Sequence, residues 1–312
     1  MSNSPTPAQS RRDFLRTTAT ATALALSPLA TFAADPEAAQ AAKRSLKRAI
    51  MWATVGMKGS VLEKMKAIKA AGFDGTEMMS HMDQDEVLRA RDEAGLIIPS
   101  VCGQHHWAKP LSHPDPKIRE EGLEALKQTL RDAKRYGATS VLLVPAVVNK
   151  EISYADAYTR SQAEIRKALP LAEELGVKIA CENVWNHFLL SPLEAARYID
   201  EFKSPAIGWH FDVGNVITYG WPEQWVRILG KRIQKLHIKE FSRKKSEKEG
   251  LWKGFDVPYL QGDNNWPAVM KALDEIGYHG WGIAEQPGGD SPEGLKMLAD
   301  GMANIFASGA AG

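Results

Sequence analysis

The sequence predicts an α/β fold, a single-domain (β/α)8 TIM barrel, and three observations carry that prediction. From Lys47 onward short β-rich runs alternate with amphipathic helical runs. Eight such units in about 260 residues match the count and length of a closed barrel of parallel strands with right-handed crossovers. No Pro/Gly/Ser linker or charge block interrupts 47–305, so no domain boundary falls there. The strands read as Arg48–Val55, Gly75–Met79, Ile98–Gln104, Ser140–Ala146, Lys178–Val184, Ile207–Val213, Ile233–Phe241 and Gly280–Gln286. Between the first two, Ser60–Ala71 carries Val61, Leu62, Met65 and Ile68 at helical spacing and stops at Gly72. The helical runs Ile118–Tyr136, Tyr154–Leu175 and Pro267–Ile276 stop at Gly137, Gly176 and Gly277, a residue type suited to the left-handed position past a helix end. An open doubly wound sheet is the alternative. No Gly-x-Gly-x-x-Gly follows the first strand, so a dinucleotide fold has no support.

The chain has 312 residues, 44% hydrophobic and 25% charged, with a formal net charge of +1. That is enough apolar material for a large core, and near-neutrality gives no electrostatic reason to expect nucleic acid or an anionic membrane as partner. The two cysteines, Cys102 and Cys181, lack zinc-site spacing and make no disulfide framework. Ser10-Arg11-Arg12-Asp13-Phe14-Leu15-Arg16 reads as a twin-arginine export motif, followed by an apolar stretch from Thr17 to about Ala30 and small residues at Ala33 and Ala34. The stretch falls short of the roughly 20 apolar residues of a stable membrane span. The expected organisation is a signal peptide at 1–34, a linker at 35–46 and the barrel at 47–308, with the twin-arginine machinery as partner and the periplasm as address. Self-association is left open.

Arg243–Asn265, after the seventh strand, reads as the longest irregular stretch, on the C-terminal face where barrel active sites are built. Four polar residues end four consecutive strands: Glu182, Asp212, His237 and Glu285. Side chains alternate along a strand. In strand six Ile207, Trp209 and Phe211 should face the helices, while Gly208, His210 and Asp212 face the axis. In strand seven Leu236 and Ile238 face out, and Lys235, His237 and Lys239 face in. The four strand-end residues can therefore converge at the barrel mouth. Three carboxylates and an imidazole left alone there would cost several kcal/mol per buried ion. One divalent cation resolves this, Mn²⁺ first, with Mg²⁺, Co²⁺ and Zn²⁺ as alternatives.

With these residues in view, the chain resembles the xylose isomerase-like TIM barrel superfamily, in its sugar-phosphate isomerase/epimerase branch. That branch holds ketose 3-epimerases, L-ribulose-5-phosphate 3-epimerases and hydroxypyruvate isomerases. The resemblance covers about 48–305. It rests on Phe73-Asp74-Gly75-Thr76-Glu77, Cys181-Glu182-Asn183, Phe211-Asp212-Val213-Gly214-Asn215, His237-Ile238-Lys239-Glu240 and Gly277-Tyr278-His279-Gly280-Trp281 leading to Glu285. It implies that Glu182 and Glu285 are both metal ligands and the acid/base pair, working through a cis-enediolate that the metal stabilises.

The resemblance also implies supporting residues, and the chain departs from it in places. Asn215 stands three residues after Asp212, where ketose 3-epimerases place a substrate-binding histidine. Arg243 stands six after His237, matching an arginine on the substrate oxygens. Six after Glu182 those enzymes carry a second glutamate, and here it is Phe188, which weakens the match to a strict epimerase mechanism. His105, His106, Glu77, Trp185 and Lys239 are further candidates for substrate contact, and Trp107 for an apolar wall. His210 reads as a buried, hydrogen-bonded core histidine. The expected function is a metal-dependent sugar isomerase or epimerase. A lyase or dehydratase acting on a keto-sugar or inosose is the alternative. An endonuclease IV-like phosphodiesterase would need more histidines and a basic groove. The intact glutamate pair disfavours a non-catalytic sugar-binding barrel.

Overall fold

In the computed structural model, which describes residues 45–309, eight parallel strands close into a barrel in sequence order, the first pairing with the last. The strands are β1 (Lys47–Met51), β2 (Gly75–Met79), β3 (Ser100–Cys102), β4 (Ser140–Leu143), β5 (Lys178–Glu182), β6 (Ile207–Asp212), β7 (Ile233–Ile238) and β8 (Trp281–Ala284). The helices among the described residues are α1 (Val61–Ala71), α2 (Gln84–Ala94), α3 (Pro116–Tyr136), α4 (Tyr154–Leu175), α5 (Pro192–Asp200), α6 (Pro222–Leu229), α7 (Arg243–Glu249), α8 (Trp266–Glu275) and α9 (Pro292–Ala307). The expected closed barrel is therefore present. Several expected strands run shorter at their C-terminal ends, because the chain leaves the ladder there to form the mouth. The twin-arginine segment and most of the linker lie outside the described residues. None of the described helices is long and apolar enough to cross a membrane.

Local chemistry explains the element ends. Ser60 and Glu63 form a reciprocal capping box at the start of α1, and Gly72 closes it in the left-handed conformation, φ 102°. Helices α3, α5, α6, α8 and α9 each carry proline in the first turn, where the missing N–H has no intrahelical partner to lose. The stretch after β7 differs from expectation. It is not irregular, for it contains α7, capped by Ser242, and a 3₁₀ turn at Leu251–Phe255.

Strand parity holds. Ile207, Trp209 and Phe211 join the outer apolar layer, where Phe211 stacks on Trp225 of α6 at 6.1 Å. Leu236 and Ile238 lie fully buried in the same layer, each contributing about 1.5–3 kcal/mol by burial. That packing leaves the other parity, His210, Asp212 and His237, facing the axis.

Candidate metal centre

The four strand-end residues come together. Glu182 and Asp212 are the last residues of β5 and β6, His237 lies in β7, and Glu285 follows β8 directly. One ligand atom from each lies within 4.8 Å of the others. His237 Nδ1 stands 2.8 Å from Glu182 Oε1, 3.1 Å from Glu285 Oε2 and 4.0 Å from Asp212 Oδ2. Its other ring nitrogen, Nε2, is 2.9 Å from Glu77 Oε2. Glu77 thus holds the imidazole from below and turns Nδ1 toward the three carboxylates. A proton on Nε2 leaves Nδ1 free as a ligand. Lys239 Nζ stands 3.2 Å from Asp212 Oδ2 and 2.6 Å from Glu285 Oε2.

Asn183 explains how Asp212 is placed. Its side-chain oxygen accepts from Asp212 N at 3.0 Å and Trp209 Nε1 at 3.1 Å, and its amide donates to Asp212 O at 2.7 Å. The Cys-Glu-Asn run thereby stitches β5 to β6. Asp212 Oδ1 in turn accepts from Asn215 N at 2.8 Å, which leaves Oδ2 for the centre. Gly214 lets the loop after β6 press on β7, since a Cβ there would lie 2.7 Å from Lys239 O.

The electrostatics suit a bound cation. Asp212 Oδ2, Glu285 Oε2 and Glu77 Oε1 are buried and, among the described residues, accept no well-aligned hydrogen bond. Burial pushes the Asp212 carboxyl up to about 7, and the neighbouring Glu285 and Glu182 add to this against the pull of Lys239. Burial raises Glu182 too, opposed by His237. Burial also acts upward on Glu285, yet Lys239 and His237 outweigh it and hold that carboxyl well below the usual range. Burial disfavours the His237 imidazolium, but Glu285, Glu77 and Glu182 more than compensate and carry it well above its ordinary value. Once His237 gives up its proton to serve as a ligand, Glu77, Glu182, Asp212 and Glu285 stand against Lys235 and Lys239, and two negative charges remain. That is the charge of one divalent ion. Oxygen ligands with a single imidazole suit Mn²⁺, Mg²⁺ or Co²⁺, and also Zn²⁺. The donor set fits the expected metal.

Other expected site residues divide into two groups. Glu77 and Lys239 belong to the cluster. Asn215 and Trp185 adjoin it, with Trp185 Nε1 donating to Asn215 Oδ1 at 3.0 Å and that oxygen 3.5 Å from Lys239 Nζ. Arg243 behaves otherwise. Its Nε and one Nη donate to Ile217 O and Gly220 O, 2.8 and 3.0 Å away, so it ties the β6 loop to the β7 loop. His106 is turned away, its Nδ1 accepting from Val144 N at 3.3 Å, and burial pushes its pKa down to about 4. His105 packs edge-on against His81 at 4.6 Å. Phe188 sits in an aromatic core with Tyr154, Tyr158 and Tyr198.

His210 corrects an expectation. It is fully buried, but neither ring nitrogen has a hydrogen-bond partner among the described residues. Its ring lies 4.2 Å from that of His237, and its Nδ1 is 3.8 Å from Glu77 Oε1. Burial, with His237 and Lys235 close by, keeps it neutral. Asn183 and Glu240 stand in the motifs that carry the resemblance, but neither they nor Gln286 has a role readable from sequence, because single polar residues beside a strand end carry no periodic signal. The inward parity of His210 was the one readable sign.

A closed barrel with convergent carboxylates and one imidazole at its mouth defines a candidate divalent-metal centre on a (β/α)8 scaffold. The chain belongs to the xylose isomerase-like TIM barrel family, whose model matches residues 65–304. It is 24% identical over 233 residues to the L-ribulose-5-phosphate 3-epimerase UlaE of Escherichia coli O1:K1 / APEC, covering 70% of this chain and 79% of that protein. Among solved structures it resembles the 3-keto-D-glucoside 4-epimerase YcjR of E. coli, with a TM-score of 0.70 at 18% identity, covering 84% of this chain and 99% of that one. It also resembles the IOLI protein solved with a bound zinc atom, with a TM-score of 0.69 at 18% identity, covering 84% and 98%. At these identities the structural likenesses establish the fold.

Proposed function

We propose that this chain is a divalent-metal-dependent sugar isomerase or epimerase working through a cis-enediolate, exported by the twin-arginine route and used in the periplasm. The observation that carries the reading is the convergence of Glu182, Asp212, His237 and Glu285 within 4.8 Å at the barrel mouth. The names of the similar proteins, epimerases of a ketose phosphate and of a keto-glucoside, support the same class. The four residues would hold the ion, with Glu77 orienting His237. When bound, a divalent ion polarises a carbonyl and a neighbouring hydroxyl oxygen and stabilises the charge that develops there. Glu182 and Glu285 act as the proton pair. One takes the proton from the carbon beside the carbonyl, and the other returns a proton from the opposite face. The Lys239 ammonium, 3.2 Å from Asp212 and 2.6 Å from Glu285, would keep those carboxylates charged beside the substrate.

The test is proton exchange followed by NMR in D₂O, with Mn²⁺ added, across ketoses, keto-sugars and inososes. A member of the panel should gain deuterium at one carbon and change configuration or carbonyl position. Exchange in none of them would end the reading. Loss of a β-substituent would favour the second reading, a lyase. One observation supports that reading: Phe188, standing where ketose 3-epimerases carry a glutamate, is locked in the aromatic core. Export is tested by Arg11→Lys with Arg12→Lys, which should strand the precursor in the cytoplasm. Unchanged periplasmic recovery would refute that part.

A further inference from the structure

We infer that Trp185, Trp252 and Phe255 form a stacking subsite for a second ring, so that the site takes a neutral sugar joined to another ring, a glycoside, rather than a sugar phosphate. The inference rests on the proposed reaction for the sugar held at the metal centre. It adds what lies beyond that sugar. The wall starts at the centre itself. Lys239 Nζ lies 5.2 Å from the Phe255 ring centroid. Phe255 meets Trp185 edge-on at 6.0 Å and lies near-parallel to Trp252 at 6.3 Å. Trp185 and Trp252 meet at 5.2 Å. The series ends in the open, for Trp252 is 63% exposed.

This exposed tryptophan is held rather than frayed. Gln286, the neighbour of Glu285, donates from Nε2 to Phe255 O at 3.0 Å and Val257 O at 2.8 Å. Ser242 N donates to Gly254 O at 2.8 Å. Gly254 presses so closely on Phe241 that a Cβ there would lie 2.4 Å from its ring. The 3₁₀ turn therefore presents Trp252 on a fixed backbone, tied to the same strand end that carries Glu285.

The chemistry of the wall selects its occupant. A pyranose ring shows a row of C–H bonds on one face, and the negative face of an aromatic ring attracts them. A phosphate would instead need free guanidinium or ammonium groups. Three of this loop's five cations are engaged, while Lys244 and Lys248 stand exposed on α7. Arg243 is bonded to Ile217 O and Gly220 O, Lys245 Nζ to Asp256 O, and Lys253 Nζ to the Asp256 carboxylate. Lys239 is committed to Asp212 and Glu285.

The test is calorimetric titration of the Mn²⁺-loaded protein with phenyl α-D-glucopyranoside, phenyl β-D-glucopyranoside, D-glucose and D-glucose 6-phosphate. At least one phenyl glucoside should bind about 5–10-fold tighter than glucose. The phosphate should gain nothing over glucose. Trp252→Ala should bring the phenyl glucoside down to the affinity of glucose, and Trp252→Phe should restore most of the advantage. Three results would each overturn the inference: tighter binding of the phosphate than of either glucoside, no gain of either glucoside over glucose, or a gain that survives Trp252→Ala. Binding is read without turnover, and repeating the titration without Mn²⁺ keeps this outcome separate from a failure of the proposed chemistry.

Discussion

Glu240 and Glu285 are carboxylates at the ends of adjacent strands, linked through Gln286, and their surroundings are opposite. Glu240 is fully buried and well satisfied. Its carboxylate accepts from Leu260 N at 2.7 Å, Asn264 N at 3.3 Å and Trp266 Nε1 at 2.8 Å, while its own N–H donates to Gln286 Oε1 at 2.7 Å. It is the hub that folds the β7 loop onto the barrel. Glu285 instead shares one small space with Glu182, Asp212 and the His237 imidazole, and the Lys239 ammonium is the cation beside Glu285 and Asp212, whose inner oxygens lack an aligned hydrogen bond. A carboxylate whose lone pairs are filled by N–H groups holds structure. Three carboxylates converging on one imidazole and one ammonium form a donor set that suits a cation. The difference separates scaffold from chemistry within one loop.

The largest expected effect sits on the chemical side. Glu182→Gln and Glu285→Gln should each slow the proton-transfer step by about 10²–10⁴ while leaving a folded barrel. If each glutamate serves one face, as proposed, one of the two mutants should still exchange substrate hydrogen with D₂O without completing epimerisation. Wild-type rates in both, measured on the true substrate, would make the pair structural and erase the contrast.

Glu240→Ala attacks the other side. It strands the buried Trp266 and backbone donors, so stability should fall by about 2–4 kcal/mol in denaturant titration. Asp212→Ala should cost the metal-free protein clearly less, because it also relieves repulsion among like charges. Equal losses would show that both carboxylates are scaffold.

Acidity gives the next effect. A carboxyl raised in the folded state favours the protonated form. In the metal-free protein the Asp212 contribution is therefore present at low pH and is lost as pH rises from the unfolded value of 3.8 toward about 7. Metal binding must displace that proton and the one His237 holds, so affinity should weaken by up to about a hundredfold per unit as pH falls below 7. Ion uptake that is flat between pH 5 and 8 would contradict the burial argument. Saturating metal should restore stability, by about 2.7 kcal/mol at a concentration a hundred times Kd.

The two sides of the comparison were unequally legible in the sequence. The barrel and the four converging residues follow from period-two alternation and strand order, which are local signals. His237 and Asp212 face inward because Leu236, Ile238 and Phe211 must face the helices. The Glu240 hub was invisible, since its partners lie 20, 24 and 26 residues away in a stretch that reads as irregular. Arg243 shows the same limit. Its position relative to His237 suggested substrate contact, while its partners are backbone carbonyls of a different loop. His210 is readable as inward-facing and buried, but its lack of hydrogen bonds depends on what β2 and β7 place beside it.

The central claim, that the unsatisfied cluster is a metal site, is tested most directly by metal content. The mature protein, stripped with chelator, loaded in turn with Mn²⁺, Co²⁺ and Zn²⁺ and then desalted, should retain about one divalent ion per chain. Asp212→Ala and His237→Ala should both lose it, and Glu240→Gln should keep it. A folded wild-type protein that retains none of the three ions would contradict the account.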